Sequence, residues 1–183
     1  ITAVLNGKSY DTSMGFSPLD GLIMGTRCGD IDPALVTYIM EKKGYTPAEM
    51  DAYMNKKCGF EGIGGVGSDS RDVEKAMAEG NERAKLALDM LSYQIKRYIG
   101  SYSAAMGGLD AIVFTAGIGE NSIDMRVKLC EGLEYMGIKI DPEKNNVRGV
   151  ELDVSAEDAT VRVLLIPTNE ELMIARDTAA LVG

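Results

Sequence analysis

Two residues stand where a charged side chain could act on a phosphorylated or carboxylate ligand. Arg27 lies between glycines in MGTRCGDIDP, Met24 to Pro33. A guanidinium held in such a segment can bond a carboxylate or phosphate bidentately and stabilise charge spreading over phosphoryl oxygens. The plainer reading is an arginine paired with Asp30 or Asp32 to hold its own loop. Glu170 lies in PTNEEL, just past an apolar run that reads as a buried strand. A carboxylate there can hold Mg²⁺ directly or through water. It can equally complement the dipole of the following helix, as can Glu171; the two roles are compatible.

Two further stretches offer backbone and neutral groups. In GIGEN the residues are Gly117, Ile118, Gly119, Glu120 and Asn121. Glycines let a ligand approach the backbone. The stretch falls between a buried-looking strand and a helix-like segment, where open α/β sheets place ligands and where N–H groups favour phosphate. A tight turn capped by Asn121 or Ser122 explains the same residues, and short glycine motifs are weak by themselves. In GSDSRD, Asp69, Ser70 and Arg71 could clasp the ribose or base of a nucleotide, or could simply cap a helix and leave Arg71 exposed.

These residues need elements to hold them. Thr2 to Leu5 alternates, Asn6-Gly7 is a hairpin signal, and Lys8 to Thr12 returns. Ser13 to Pro33 is glycine-rich without a helical period, with a short strand expected near Gly21 to Met24. Helices are expected from Pro33 to about Lys43 behind Asp32, from Thr46-Pro47 towards Gly59, and from Arg71 to Ala78 behind Asp69 or Ser70. Gly59 to Asp72 reads as an irregular glycine-rich stretch. A long helix from Asn81 carries Ala84, Leu88, Leu91, Ile95, Tyr98 and Ile99 as an apolar stripe. Ala111 to Thr115 reads as a central strand covered on both faces. A helix with Met125, Leu129 and Leu133 runs to about Met136 and ends at Gly137, and Asn145 to Glu157 reads as polar turns. A second buried strand, Val161 to Thr168, leads into a last helix with Thr168 and Glu171 at capping-box spacing. Strands alternating with helices predict an α/β domain.

Whole-chain properties narrow the function. The 183 residues suffice for a sizeable core, and 45% are hydrophobic. A net charge of −9 argues against non-specific nucleic-acid binding, which needs Lys and Arg on phosphates, while leaving room for a small phosphorylated ligand. No apolar run is long enough for a membrane helix, so no membrane partner is expected. Cys28, Cys58 and Cys130 are far apart and odd in number, as for free thiols in a reducing compartment. With no histidine, no step can rest on an imidazole of this segment. The opening ITAVLNGKSYDT starts on Ile1 and already reads as a strand, so an upstream part is expected.

Together the motifs carry a resemblance. DTSMGFSPLDGLIMGTRCGDIDP, Asp11 to Pro33, resembles a signature of the acetate kinase family. GVGSDSRD, FTAGIGENS and IPTNEELMIARDT resemble further segments of that family in the same order. Ser17, Asp20 and Cys28 depart conservatively from the Thr, Glu and Ser expected there. The resemblance implies a ribonuclease-H-like domain of the actin-like ATPase superfamily, a mixed sheet flanked by helices. Residues 1–183 would be the C-terminal nucleotide-binding domain, incomplete at its N-terminal edge.

By motif position, the resemblance implies Arg27 as the arginine that stabilises the transition state and Glu170 as the Mg²⁺ ligand. It implies nucleotide contacts at Asp69, Ser70 and Arg71 and at Gly117, Ile118, Gly119, Glu120 and Asn121. The implied reaction is reversible phosphoryl transfer from ATP to acetate, giving acetyl phosphate and ADP, with Mg²⁺ (or Mn²⁺) as cofactor. The implied setting is a cytoplasmic homodimer serving acetyl-CoA biosynthesis. The family's phosphate loop, catalytic Asp, His and a second Arg lie upstream of these residues, so the segment alone is expected to be inactive. A propionate or butyrate kinase is the nearest alternative. For the segment by itself, a non-catalytic nucleotide-binding and dimerisation module is another.

Overall fold

Asn6 and Gly7 both adopt positive φ, 53° and 75°, the pair that a two-residue hairpin turn requires. They join β1 (Thr2–Leu5) to β2 (Lys8–Thr12) in antiparallel register with Leu5 opposite Lys8. The computed structural model describes residues 1–183, which form two compact units, Ile1–Gly108 and Leu109–Gly183.

In the first unit, helices start and stop where local chemistry directs. Asp32 accepts from Ala34 N–H ahead of α1 (Pro33–Lys43), and Gly44 closes it in the left-handed conformation. Thr46 and Glu49 form a reciprocal capping box on α2 (Pro47–Lys56). Asp69 caps α4 (Ser70–Ala78) and Asn81 caps α5 (Glu82–Met106). The α5 stripe is buried at Ala84, Leu88, Leu91 and Ile99 and packs on α4, where Val73 is buried, and on α3 (Gly59–Gly64). Helix α3 was not expected, because three glycines in six residues mask it. It forms because the N–H groups of Phe60 and Glu61 find carbonyls outside the helix, at Met24 and Gly25. The strand expected near Gly21 to Met24 is absent. Its N–H groups are spent elsewhere: Gly21 donates to Asp30 Oδ1, Ile23 to Gln94 Oε1 and Met24 to the Arg27 carbonyl.

The second unit is a small mixed sheet, ordered β3 (Ala111–Phe114), β5 (Arg162–Leu165), β4 (Leu152–Asp153). β3 and β5 are parallel, with Phe114 opposite Leu165; β4 is antiparallel to β5. The crossover from β3 to β5 carries α6 (Ala116–Asn121), α7 (Ile123–Cys130) and a 3₁₀ turn, Glu134–Met136, closed by Gly137. Helix α8 (Glu170–Val182) follows β5. Three expectations change here. β5, not β3, is central: Val163 and Leu165 are buried, whereas β3 lies at the edge with Val113 47% exposed. The helix expected to reach Met136 ends at Cys130, and Gly132 turns the chain. Asn169, not Thr168, caps α8, accepting from Leu172 N–H at 3.1 Å. Thr168 is already engaged, its hydroxyl 2.8 Å from that of Thr115 and its N–H on Glu120 Oε1.

Candidate active site

Arg27 sits near the tip of an irregular loop, residues 21–30. The base is closed twice, by Gly21 N–H on Asp30 Oδ1 (2.6 Å) and by Asp30 N–H on the Gly21 carbonyl (2.8 Å). Near the tip, Cys28 N–H donates to Met54, Cys58 N–H to Thr26, and the Thr26 hydroxyl to the Asn55 carbonyl. Gly59 has to be glycine: φ is +58°, and a Cβ there would lie 2.8 Å from the Arg27 carbonyl. This stitching leaves the Arg27 side chain free. Its only hydrogen bond is from Nη1 to Met24 Sδ at 3.5 Å. The pairing with Asp30 or Asp32 does not occur, because Asp30 holds Gly21 and Tyr98 and Asp32 caps α1. The guanidinium is half-buried, and no carboxylate of the chain takes up its donors, which leaves them for a ligand. It lines a cavity of about 700 Å³ with Asp51, Asn55, Lys56 and Ser68.

The Ser68–Arg71 stretch borders the same cavity. A Cβ at Gly25 would lie 2.6 Å from the Ser68 carbonyl, so the two segments are in direct contact. Asp69 caps α4 through Arg71 N–H and also accepts from Arg71 Nε and Nη2, at 2.5 Å for the closest pair. The guanidinium and that N–H together lower the Asp69 carboxyl from 3.8 to about 2. Arg71 is thereby fixed as an exposed, flat guanidinium surface.

In the second unit the predicted residues Gly117 to Asn121 form a short helix rather than an open turn. Neither Gly117 nor Gly119 has positive φ; Ala116 does, at 57°, directly after Thr115. Gly119 is small for packing, since a Cβ there would lie 3.2 Å from the Phe114 carbonyl carbon. Glu120 Oε1 accepts from Ala116 N–H (2.6 Å) and Thr168 N–H (2.8 Å), tying the carboxyl ends of the two parallel strands together. These N–H groups hold the Glu120 carboxyl below its ordinary range. Asn121 turns back onto the Gly117 carbonyl. Two residues beyond the Glu120–Thr168 bond stands Glu170, exposed at the first position of α8, with no hydrogen bond or ion pair on its carboxylate.

The residue that holds this unit together escaped the sequence reading. Arg126 is fully buried, yet no carboxylate pairs with it. Its guanidinium donates to the carbonyls of Gly119, Glu120, Asn145 and Val147 and to Asn145 Oδ1, at 2.6 to 3.0 Å. It thus caps the carbonyl end of α6, where positive charge is favoured. Burial pushes its pKa down, with Arg148 adding to the effect. A signal existed: Arg126 falls on the buried side of α7, beside Met125 and one turn before Leu129 and Cys130.

Comparison with known proteins gives this geometry a family. The Acetokinase family model matches residues 1–176. The chain belongs to the acetokinase family. It is 63% identical over 182 residues to the acetate kinase of Moorella thermoacetica and 60% identical to that of Dictyoglomus turgidum, covering all of this chain in both. It spans 46% and 45% of the length of those relatives. Among solved structures, Porphyromonas gingivalis acetate kinase matches the whole chain with a TM-score of 0.95 at 47% identity, over 46% of its own length. A propionate kinase from Francisella tularensis matches 96% of the chain with a TM-score of 0.89 at 42% identity, over 45% of its own length. The mixed α/β architecture agrees with the actin-like ATPase fold that the motifs implied. No helix is long and apolar enough to cross a membrane.

Proposed function

We propose that the protein to which this acetokinase-family chain belongs transfers the γ-phosphoryl group of ATP to acetate, reversibly, giving acetyl phosphate and ADP. The observation that carries this reading is Arg27: a guanidinium on a heavily stitched loop, facing a cavity, with no internal counter-ion. Phosphoryl transfer asks the protein for position and charge stabilisation more than covalent chemistry. Arg27 supplies donors for the oxygens over which charge spreads. The Asp69–Arg71 clasp offers a pre-oriented planar surface to the nucleoside, with Ser70 beside it. Gly117 and Ile118 offer backbone and apolar contact, since Glu120 and Asn121 spend their side chains on the fold.

The donor set fits a divalent ion of limited demands. No three acidic, His or Cys residues cluster as a metal cage, but the free carboxylate of Glu170 suits Mg²⁺, which keeps most of its waters and takes one or two carboxylates with substrate phosphates. When bound, Mg²⁺ (or Mn²⁺) neutralises charge on the phosphate oxygens. The domain assignment belongs to the same reading: residues 1–183 as the C-terminal nucleotide-binding domain, a homodimer in the cytoplasm, and a product feeding acetyl-CoA formation. The Francisella likeness favours propionate as the second substrate to consider.

The test is an assay of the full-length protein for acyl phosphate formation from ATP with acetate and with propionate. The expected result is turnover with both, a higher kcat/KM for acetate, and a loss of about 10³-fold or more in kcat for Arg27→Ala. Turnover with neither acid overturns the reading, and a preference for propionate replaces acetate by its homologue.

A further inference from the structure

The loop around Arg27 is joined to α5 through two side chains, Gln94 and Tyr98, which lie one helical turn apart on one face. Gln94 Oε1 accepts from Ile23 N–H at 2.8 Å, in a place where Gln94 is 9% and Ile23 4% exposed. The Tyr98 hydroxyl donates to Asp30 Oδ2 at 2.9 Å, while the other oxygen of Asp30 closes the base of the loop on Gly21 N–H. Burial and Asp30 push the Tyr98 hydroxyl up to about 12, so it remains a donor throughout the working pH range. A loop without ladder or helix must find a partner for every buried backbone group. For Ile23 that partner is a single amide oxygen on a neighbouring helix.

We infer that Gln94 is a positioning residue for Arg27, acting through the Ile23 backbone, with the Tyr98–Asp30 bond as a second latch. The path is short. Ile23 adjoins Met24, whose N–H donates to the Arg27 carbonyl and whose sulfur is the only polar atom touching the Arg27 guanidinium. If Ile23 N–H loses its acceptor, it must turn towards another, and the Met24–Arg27 bond turns with it. A misplacement of about 1 Å can lower a rate by about 10²-fold. The nucleotide clasp at Asp69–Arg71 belongs to another segment and keeps its own bonds. The inference rests on the proposed role of Arg27, so the experiment separates the two.

Three variants of the full-length protein are compared: Arg27→Ala, Gln94→Leu and Gln94→Glu. Gln94→Leu keeps the volume and removes the acceptor; Gln94→Glu keeps an acceptor oxygen in either protonation state. The expected result is a kcat about 10- to 100-fold lower for Gln94→Leu, with KM for ATP within about threefold and most of kcat recovered in Gln94→Glu. A Gln94→Leu enzyme that melts earlier but turns over normally per folded molecule overturns the inference, as does a Glu variant as slow as the Leu variant. An Arg27→Ala enzyme with normal kcat overturns the role of Arg27 and the inference with it. An inactive Arg27→Ala beside a normal Gln94→Leu removes the inference alone. Should Gln94→Leu fail to fold, Tyr98→Phe deletes only the hydroxyl on Asp30. A severalfold drop in kcat at constant KM is then expected, and an unchanged kcat overturns the inference.

Discussion

Around Arg27 the fold is held by backbone carbonyls, a glutamine, a tyrosine and Asp30, and the one cation of the loop is left over. Around Gly117–Asn121 the opposite holds. There Arg126 and Glu120 carry the structure, one inside the carbonyl end of α6 and the other across the ends of β3 and β5. What is left over is backbone and an exposed glycine. The difference separates two kinds of contribution. In the first region the reactive charge and the scaffold are different residues, so chemistry can be removed without harming the fold. In the second, Arg126 and Glu120 are the scaffold, and what remains to meet a ligand is the surface of Gly117 and Ile118 with, two residues past Thr168, the carboxylate of Glu170.

The largest expected effect breaks this comparison if it fails. Arg27→Ala in the full-length protein is expected to lose about 10³-fold or more in kcat, or about 4 kcal/mol of transition-state stabilisation. The same substitution is expected to move folding stability by less than about 1 kcal/mol, because the side chain has one weak internal bond. A urea titration beside the rate assay checks both. A large loss of stability would mean that Arg27 belongs to the scaffold after all.

Arg126 is expected to behave in reverse. Arg126→Met fills much of the space but takes the guanidinium donors from the buried Asn145 Oδ1 and from the Val147 carbonyl, each costing about 1–3 kcal/mol where no water reaches. A loss of about 3 kcal/mol or more in unfolding free energy is expected, with Arg126→Lys intermediate because an ammonium has three donors and no fork. Equal stability of Arg126→Met and the parent would show that these carbonyls re-pair, and would end the claim that charge holds this region.

Much of this was legible in the chain before any fold was drawn. Asp32, Thr46, Asn81 and the Asn6-Gly7 turn each act within four residues, so their pattern is local and their structural outcome followed. The failures are long-range. Thr168 and Glu171 had capping-box spacing, but Thr168 is claimed by Thr115 and Glu120, about fifty positions away in sequence, and Asn169 took the cap. β3 is as apolar as a central strand, but strand order is a property of the sheet. Gln94 looks like a polar interruption of a core stripe until Ile23 is seen to need its oxygen. The candidate site residues were legible as types, but not which side chains the fold would spend. Arg27 is free where a pairing with Asp30 was plausible, and Glu120 is spent where a ligand contact was expected.

The two glycines of α6 sharpen the comparison at about 1 kcal/mol. A Cβ at Gly117 meets open space, and alanine improves helix propensity, so Gly117→Ala is expected to leave stability unchanged or raise it by up to about 1 kcal/mol. A Cβ at Gly119 presses on Phe114, and Gly119→Ala is expected to lower stability by about 1 kcal/mol. If Gly117 meets the nucleotide, its alanine variant weakens ADP binding although the fold is no worse. Calorimetry of the full-length protein decides: unchanged ADP affinity in Gly117→Ala withdraws Gly117 from the nucleotide contacts.

The smallest effect concerns the clasp at Asp69. Its folded pKa, about 2, lies below the ordinary 3.8, so the bonds to Arg71 contribute fully above 3.8 and are lost as the pH falls through 2. The clasp is therefore constant at neutral pH. A carbon-detected NMR titration is expected to place Asp69 near 2, and Arg71→Gln to return it part of the way towards 3.8, since the residue 71 N–H remains on the carboxylate. Nucleotide affinity should then owe nothing to Asp69 titration between pH 5 and pH 8. A fall in ADP affinity across that range that Asp69→Asn removes would mean that the carboxylate is not locked onto Arg71. In that case the exposed charges of the first region would be as free as Arg27, and the clasp would be no part of the scaffold.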